Sequence, residues 1–188
     1  LKETDRLNQT VEDVLQFTRR KPGYPGLRQP FADVAARVEA LLAKQFREKK
    51  IQFSMLGLEN AAGLLVVADK MIQVLLNLLL NAYDAVDEGG EISLRIKHPF
   101  RPAQAVSGDE GHLILICDNG PGIPEHMRQR VFEPFVTEKE GGTGLGLFIS
   151  RKILETFGGS LSLSTDEVEV SGACFSIFLP CPEEKGDS

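Results

Sequence analysis

QVLLNLLLNAYD, residues 73–84, is the stretch on which the reading of this chain turns. At about 100° per residue, a helix places Gln73, Asn77, Asn81 and Asp84 within an arc of about 80°. Leu75, Leu76, Leu78, Leu79 and Ala82 take up the rest of the circumference. A helix apolar over most of its surface belongs in a core, where an unpartnered carboxamide costs roughly 1–3 kcal/mol. The polar stripe therefore needs partners, either local hydrogen bonds to loops or a bound ligand.

Outward from this helix, residues 64–67 form a short apolar run that reads as a strand, Asp69 is positioned to cap the helix, and Asp87-Glu88-Gly89-Gly90 stops it. Residues 31–49 have helical periodicity through Val34, Val38, Leu41, Leu42 and Phe46, and residues 51–56 alternate as a strand. Strands at 91–97 and 112–117 flank a polar loop with Pro99, Pro102 and Gly108, which suggests a hairpin. A helix over 145–157 ends at Gly158-Gly159, and alternating strands follow at 161–164 and 173–179. In residues 1–20, Leu7, Val11, Val14 and Phe17 or Thr18 recur at helical spacing, an amphipathic helix that suits either its own domain or one arm of a bundle. Breakers cluster in Lys21-Pro22-Gly23-Tyr24-Pro25-Gly26. The organisation expected is a helix at 1–20, a linker at 21–29, one domain at 30–182 and a frayed tail at 183–188.

At 188 residues, 42% hydrophobic and 26% charged, the composition is that of a soluble globular protein, and no run approaches the roughly 18 apolar residues of a membrane span. A net charge of −6 argues against a general nucleic-acid binder. Cys117, Cys174 and Cys181 form no CxxC pair, and two lie in hydrophobic runs, which points to free thiols in a reducing, cytoplasmic compartment. The chain opens in mid-pattern without an initiator Met or signal-like segment, so an excised piece of a longer protein is expected.

Two further polar clusters carry chemistry. Asp118 closes the strand LILICD, and an ionised carboxylate there is an acceptor suited to an exocyclic amine such as that of adenine. Gly120 and Gly122 allow close backbone approach or positive φ, although DNGPG is equally a strong turn. GGTGLGL, residues 141–147, opens a helix whose exposed amides suit a phosphate, but no Lys-Ser/Thr follows as a Walker motif requires. The Rossmann reading lacks the strand that should directly precede its glycines. Asn77 and Asn81 offer two carboxamide oxygens one turn apart, and magnesium takes one or two hard oxygens from protein. Together these make one ATP site, with segment 123–143 as its closing lid.

These residues, in this order, resemble the ATP-binding catalytic domain of sensor histidine kinases, within the superfamily shared with gyrase, heat-shock chaperone and mismatch-repair ATPases. QVLLNLLLNAYDAV is similar to the family's N box, DNGPGI to its first glycine box, VFEPFVTEK to its F box and GGTGLGLFIS to its second glycine box. LKETDRLNQTVEDVLQFTR resembles the end of the second helix of the dimerisation and phosphoacceptor hairpin. The expected architecture is an α/β (α+β) two-layer sandwich of the Bergerat type. In it a mixed, largely antiparallel sheet is covered on one face by about three helices, with an ATP lid.

The resemblance implies ATP and Mg2+ as cofactors. Asn81 would ligate magnesium, with Asn77 beside the phosphates or assisting the metal. Asp118 would bind the adenine amine, with Gly120, Gly122 and Ile123 shaping its pocket, and Phe132 and Phe135 would anchor the lid. Lys139 would reach the phosphates, and Gly142, Thr143, Gly144, Leu145 and Gly146 would wrap the triphosphate. Asp84 departs from the non-acidic residue of many members and is given a water- or metal-mediated role. Asn77 and Lys139 are the candidate catalytic residues.

The superfamily's ATPases carry a Glu where this chain has Asn77, and an amide is not a general base. Transfer of the γ-phosphoryl group to an outside histidine is therefore expected, rather than hydrolysis. His98, His112 and His126 fall at a strand end, a strand start and the lid, none in a helical context with an adjacent acid, so ordinary surface or rim histidines and no self-phosphorylation are expected. The implied partners are the phosphoacceptor hairpin of a homodimeric parent, which crosses or does not cross a membrane, and a response regulator receiver domain; no nucleic acid or membrane contact is expected of this fragment. Two alternatives stand. A serine kinase of the anti-sigma type would lack the hairpin, and a degenerate nucleotide-binding scaffold would not bind ATP.

Overall fold

Alternating apolar residues put a strand's core face on every second position, and in this chain that period builds one sheet. The computed structural model describes residues 28–102, 110–139, 142–164 and 172–181. The proposed helix at 1–20, the linker up to residue 27 and the tail at 183–188 lie outside the described residues. In chain order the elements are β1 (Arg28–Pro30), α1 (Phe31–Glu48), β2 (Gln52–Leu56), β3 (Leu65–Val67), α2 (Ala68–Ala85), β4 (Glu91–Phe100) and β5 (Gly111–Asp118). There follow α3 (Glu125–Arg128), α4 (Gly146–Glu155), β6 (Ser160–Leu163) and β7 (Cys174–Pro180).

Five strands form the sheet in the order β2-β4-β5-β7-β6, and β1 pairs with β3 as a separate ribbon. β2 and β4 are parallel, while β4/β5, β5/β7 and β6/β7 are antiparallel. A parallel pair needs a crossover, and α2 supplies it. The mixed, largely antiparallel sheet with three covering helices is thus as expected.

Period two assigns Ile92, Leu94 and Ile96 of β4, Ile114 and Ile116 of β5, and Phe175, Ile177 and Leu179 of β7 to the helix side. They meet Val34, Val38 and Leu42 of α1, Val74, Leu75, Leu78 and Leu79 of α2, and Ile149, Ile153 and Leu154 of α4. The opposite parity puts Leu113, Leu115, Cys117 and Cys174 in a second, smaller cluster on the far face. Fully burying a Leu or Ile contributes about 1.5–3 kcal/mol, so the first cluster fixes α2 against the sheet and aims its polar stripe away from it.

Several expectations need correction. Asp69 does not cap α2: Val67 is at the N-cap with no side-chain cap, and Asp69 lies in the first turn, where an acid favours the positive end of the helix dipole. The cysteines are not all free. Cys117 and Cys174 stand opposite each other in the β5/β7 register and are joined as a disulfide, leaving Cys181 free. Two of the three thiols that point to a reducing compartment are thus absent. His112 is not a surface residue, being 5% exposed. His126 does lie in a helical turn after an acid, in α3 behind Glu125, but its Nε2 is 3.0 Å from Glu138 Oε1. No described helix is long and apolar enough to cross a membrane.

Candidate nucleotide site

Asp118 ends β5 on the helix-facing side, and the residue is 3% exposed. Gly120 and Ala173 donate their N–H groups to its Oδ1 at 2.9 and 3.2 Å. Oδ2 has no protein partner among the described residues, so it is the atom available to a ligand donor. Burial raises the pKa of this carboxyl, opposed by the two backbone hydrogen bonds and by Lys139. The chain turns away at once: the Asn119 side chain accepts from the Glu91 N–H at 2.8 Å, and a Cβ on Gly120 would sit 2.8 Å from the Ala85 carbonyl. Close approach to the end of α2 is therefore what requires glycine at 120. Gly122 takes the positive φ expected of it, and Ile123 packs on the core.

The Asn77 side chain finds its partners within the protein. Its Nδ2 donates to the Gly146 carbonyl at 3.2 Å and to Ser150 Oγ at 3.1 Å, tying α2 to the first turn of α4. Ser150, fully buried, was missed as a site residue; its signal was a small polar residue directly after the apolar Leu147-Phe148-Ile149, one turn after Gly146. The start of α4 carries N–H groups without intrahelical acceptors, at the positive end of the dipole. Thr143 Oγ1 takes the Leu145 N–H at 3.3 Å, and Leu145 itself is buried in the core.

Asn81 and Asp84 lie further along α2. Lys139 donates to Asn81 Oδ1 at 3.1 Å and to Asp84 Oδ2 at 2.9 Å. A side-chain ammonium thus occupies the place where a carboxamide oxygen and a carboxylate oxygen converge. That donor set is hard oxygen only, and it fits magnesium. Lys139 and Asp84 are both about half exposed, and an ion pair so exposed contributes at most about 1 kcal/mol, little enough for a phosphate to draw the ammonium away.

The lid is anchored by side chains at Val131 and Phe132. Val131 is buried, and Phe132 packs edge-on to Phe175 at 6.3 Å with Arg151 over its ring at 5.8 Å. Phe135 is not an anchor through its side chain, which is 75% exposed. Its backbone is held instead: φ is +66°, and its N–H donates to the Gly144 carbonyl at 3.0 Å. Gly142 closes a turn on the Lys139 carbonyl at 2.9 Å. Gly144, at φ +65°, would bring a Cβ to 2.5 Å from the Phe135 carbonyl carbon. Gly144→Ala is expected to cost about 1–3 kcal/mol of local strain, to lower the melting temperature by about 2–4 °C per kcal/mol and to open segment 133–139 to limited proteolysis. An unchanged melt and digest would contradict this account of the junction.

Residues 66–183 match the family model described as histidine kinase-, DNA gyrase B-, and HSP90-like ATPase. The sensor histidine kinase ZraS of Salmonella typhimurium is 33% identical over 180 residues, 95% of this chain and 36% of that protein. The sensory histidine kinase/phosphatase NtrB of the same organism is 32% identical over 186 residues, 96% of this chain and 50% of that protein. The chain therefore spans about a third to a half of the length of these relatives. The solved structure of histidine kinase ThkA in complex with response regulator protein TrrA superposes with a TM-score of 0.72 and 27% identity, covering 98% of this chain and 50% of that one. With 66–183 matched, more than half its length, the chain belongs to the histidine kinase-, DNA gyrase B- and HSP90-like ATPase family.

Proposed function

We propose that the chain is the ATP-binding catalytic domain of a two-component sensor histidine kinase, which binds Mg-ATP and hands the γ-phosphoryl group to a histidine on a phosphoacceptor hairpin. Asn77 is the observation that carries the choice of transfer over hydrolysis. Its amide is committed to Gly146 and Ser150, and it has no basic lone pair with which to activate water. In this reading Asp118 Oδ2 accepts from the adenine amine, with Gly120, Gly122 and Ile123 around the ring. The amides at the start of α4, with Gly142, Thr143 and Gly144 before it, face the phosphates. Asn81 holds magnesium, and Asp84 does so directly or through water. Magnesium, when bound, supplies neutralisation of the phosphate charge. Lys139 leaves Asp84 for the phosphates, and Asn77 keeps α4 at the right distance from α2.

The outside nucleophile, the hairpin helix at 1–20 and a homodimeric parent follow from the resemblance, and so does a response regulator receiver domain as the final acceptor. The ThkA complex with TrrA supports that last partner by analogy. The need for ATP favours the cytoplasmic side of any membrane the parent crosses. Incubation with Mg and γ-labelled ATP should leave this chain unlabelled, and should label a supplied phosphoacceptor hairpin on histidine, as an acid-labile phosphate. Label on the chain itself, or phosphate release that outpaces transfer, contradicts the proposal.

A further inference from the structure

At the end of the sheet opposite Asp118, the parity that builds the core brings three other groups together. His98 continues the inward series Ile92, Leu94, Ile96; His112 begins the series that runs through Ile114 and Ile116; Cys181 follows Phe175, Ile177 and Leu179. Each offers one ligand atom, and these atoms lie within 4.8 Å of one another. The β4/β5 register shifts between Lys97 and Phe100, so β4 carries one extra residue there. Such bulges re-aim side chains, and the His98 ring stacks on His112 with centroids 4.0 Å apart.

His112 is 5% exposed, yet neither ring nitrogen has a hydrogen-bond partner. A buried polar group left without a partner costs about 1–3 kcal/mol, which calls for a ligand. His98 has the opposite arrangement. Its Nδ1 is 3.1 Å from the Gly111 carbonyl, so Nδ1 carries the proton and Nε2 keeps its lone pair. A ring N–H held by a backbone carbonyl is the usual support of a metal-binding imidazole. The Cys181 thiol is free, and its backbone N–H donates to the Glu110 carbonyl at 2.9 Å, which pins it beside the base of the hairpin.

We propose that His98 Nε2, one ring nitrogen of His112 and Cys181 Sγ form a zinc-binding site, separate from the nucleotide site. Two imidazoles and a thiolate suit zinc and not magnesium or calcium, which take oxygen. At bond lengths of about 2.0–2.3 Å, tetrahedral ligands stand roughly 3.3–3.6 Å apart, so binding draws these side chains together by at most about an ångström. The thiol proton is released to solvent as the zinc–sulfur bond forms. The fourth position opens on a cleft of about 510 Å³ bordered by Arg28, Met71, Thr156 and Phe157. His112 and Asp118 are six residues apart on β5, about 20 Å at 3.4 Å per residue.

The test is a titration of the 188-residue chain, stripped of metal by a chelator, with Co2+ and then Zn2+. One equivalent of Co2+ should produce a thiolate-to-cobalt charge-transfer band that Zn2+ abolishes. Cys181→Ser should remove that band, and His98→Gln should weaken Zn2+ binding by at least about 10- to 100-fold, the loss that even an outer-sphere change brings. Zn2+ should also raise the melting temperature of the parent chain by more than that of either variant. Absence of the band in the parent chain overturns the proposal without recourse to any variant. So does a band that survives Cys181→Ser, or equal Zn2+ affinity in parent and variants.

Discussion

Asp118→Asn is expected to lower affinity for ATP by about 100-fold or more while leaving the domain at least as stable at pH 7. The two effects separate because the two oxygens of Asp118 have different duties. Oδ1 takes the Gly120 and Ala173 N–H groups, and an asparagine oxygen can keep both. Oδ2 becomes an NH2, which meets the adenine amine donor to donor. The pKa shift supplies the sign of the stability change. A carboxyl whose folded-state pKa lies above its unfolded value is ionised at the expense of folding. That cost is absent below the unfolded pKa, appears as pH rises through the folded one and is present in full above it. Removing the charge removes the cost, so the melting temperature of the variant at pH 7 should equal or exceed that of the parent. For the parent, ATP affinity should fall on acidification as pH drops through the raised pKa, and the variant should lack that dependence. Calorimetric titration with a non-hydrolysable ATP analogue and a thermal melt check both halves. Full affinity in the variant would remove Asp118 from the adenine site.

Asn81→Ala should abolish the magnesium-dependent part of nucleotide affinity, about 10-fold or more, leaving binding with magnesium equal to binding without it. Folding should hardly notice, because the substitution removes one of the two acceptors of an exposed ammonium, a change of under about 1 kcal/mol. Asp84 then remains alone with Lys139. If the variant keeps a full response to magnesium, the metal is held elsewhere, and Asp84 or the free oxygen of Asn77 becomes the candidate.

What the chain discloses in one dimension is unequal for physical reasons. Period-two and period-3.6 patterns fix which face of a strand or helix is buried, so the sheet, α1, α2 and α4 were legible from Val34, Val74, Leu78, Ile114 and their neighbours. The candidate residues Asp118, Asn77 and Asn81 stood out for a related reason: polar groups lie where the pattern demands apolar ones. Register was not legible. The pairing of Cys117 with Cys174 depends on which residue of β7 faces the end of β5, and nothing local to either run states that. The same is true of His98, His112 and Cys181, whose shared parity and shared end of the sheet appear only once strand order and the bulge are known. Ser150 was overlooked because its partner is 73 residues away. Phe135 was assigned by its motif, yet its positive φ turns the ring to solvent and leaves the backbone to hold the junction.

In the proposed function, the polar stripe of α2, Asp118 and the start of α4 form one Mg-ATP site. Calorimetric titration of the chain with a non-hydrolysable ATP analogue, with and without magnesium, tests it most directly. Saturable binding of one nucleotide per chain, tightened by magnesium, is expected. No binding at millimolar analogue would contradict it and leave the fold as a degenerate scaffold.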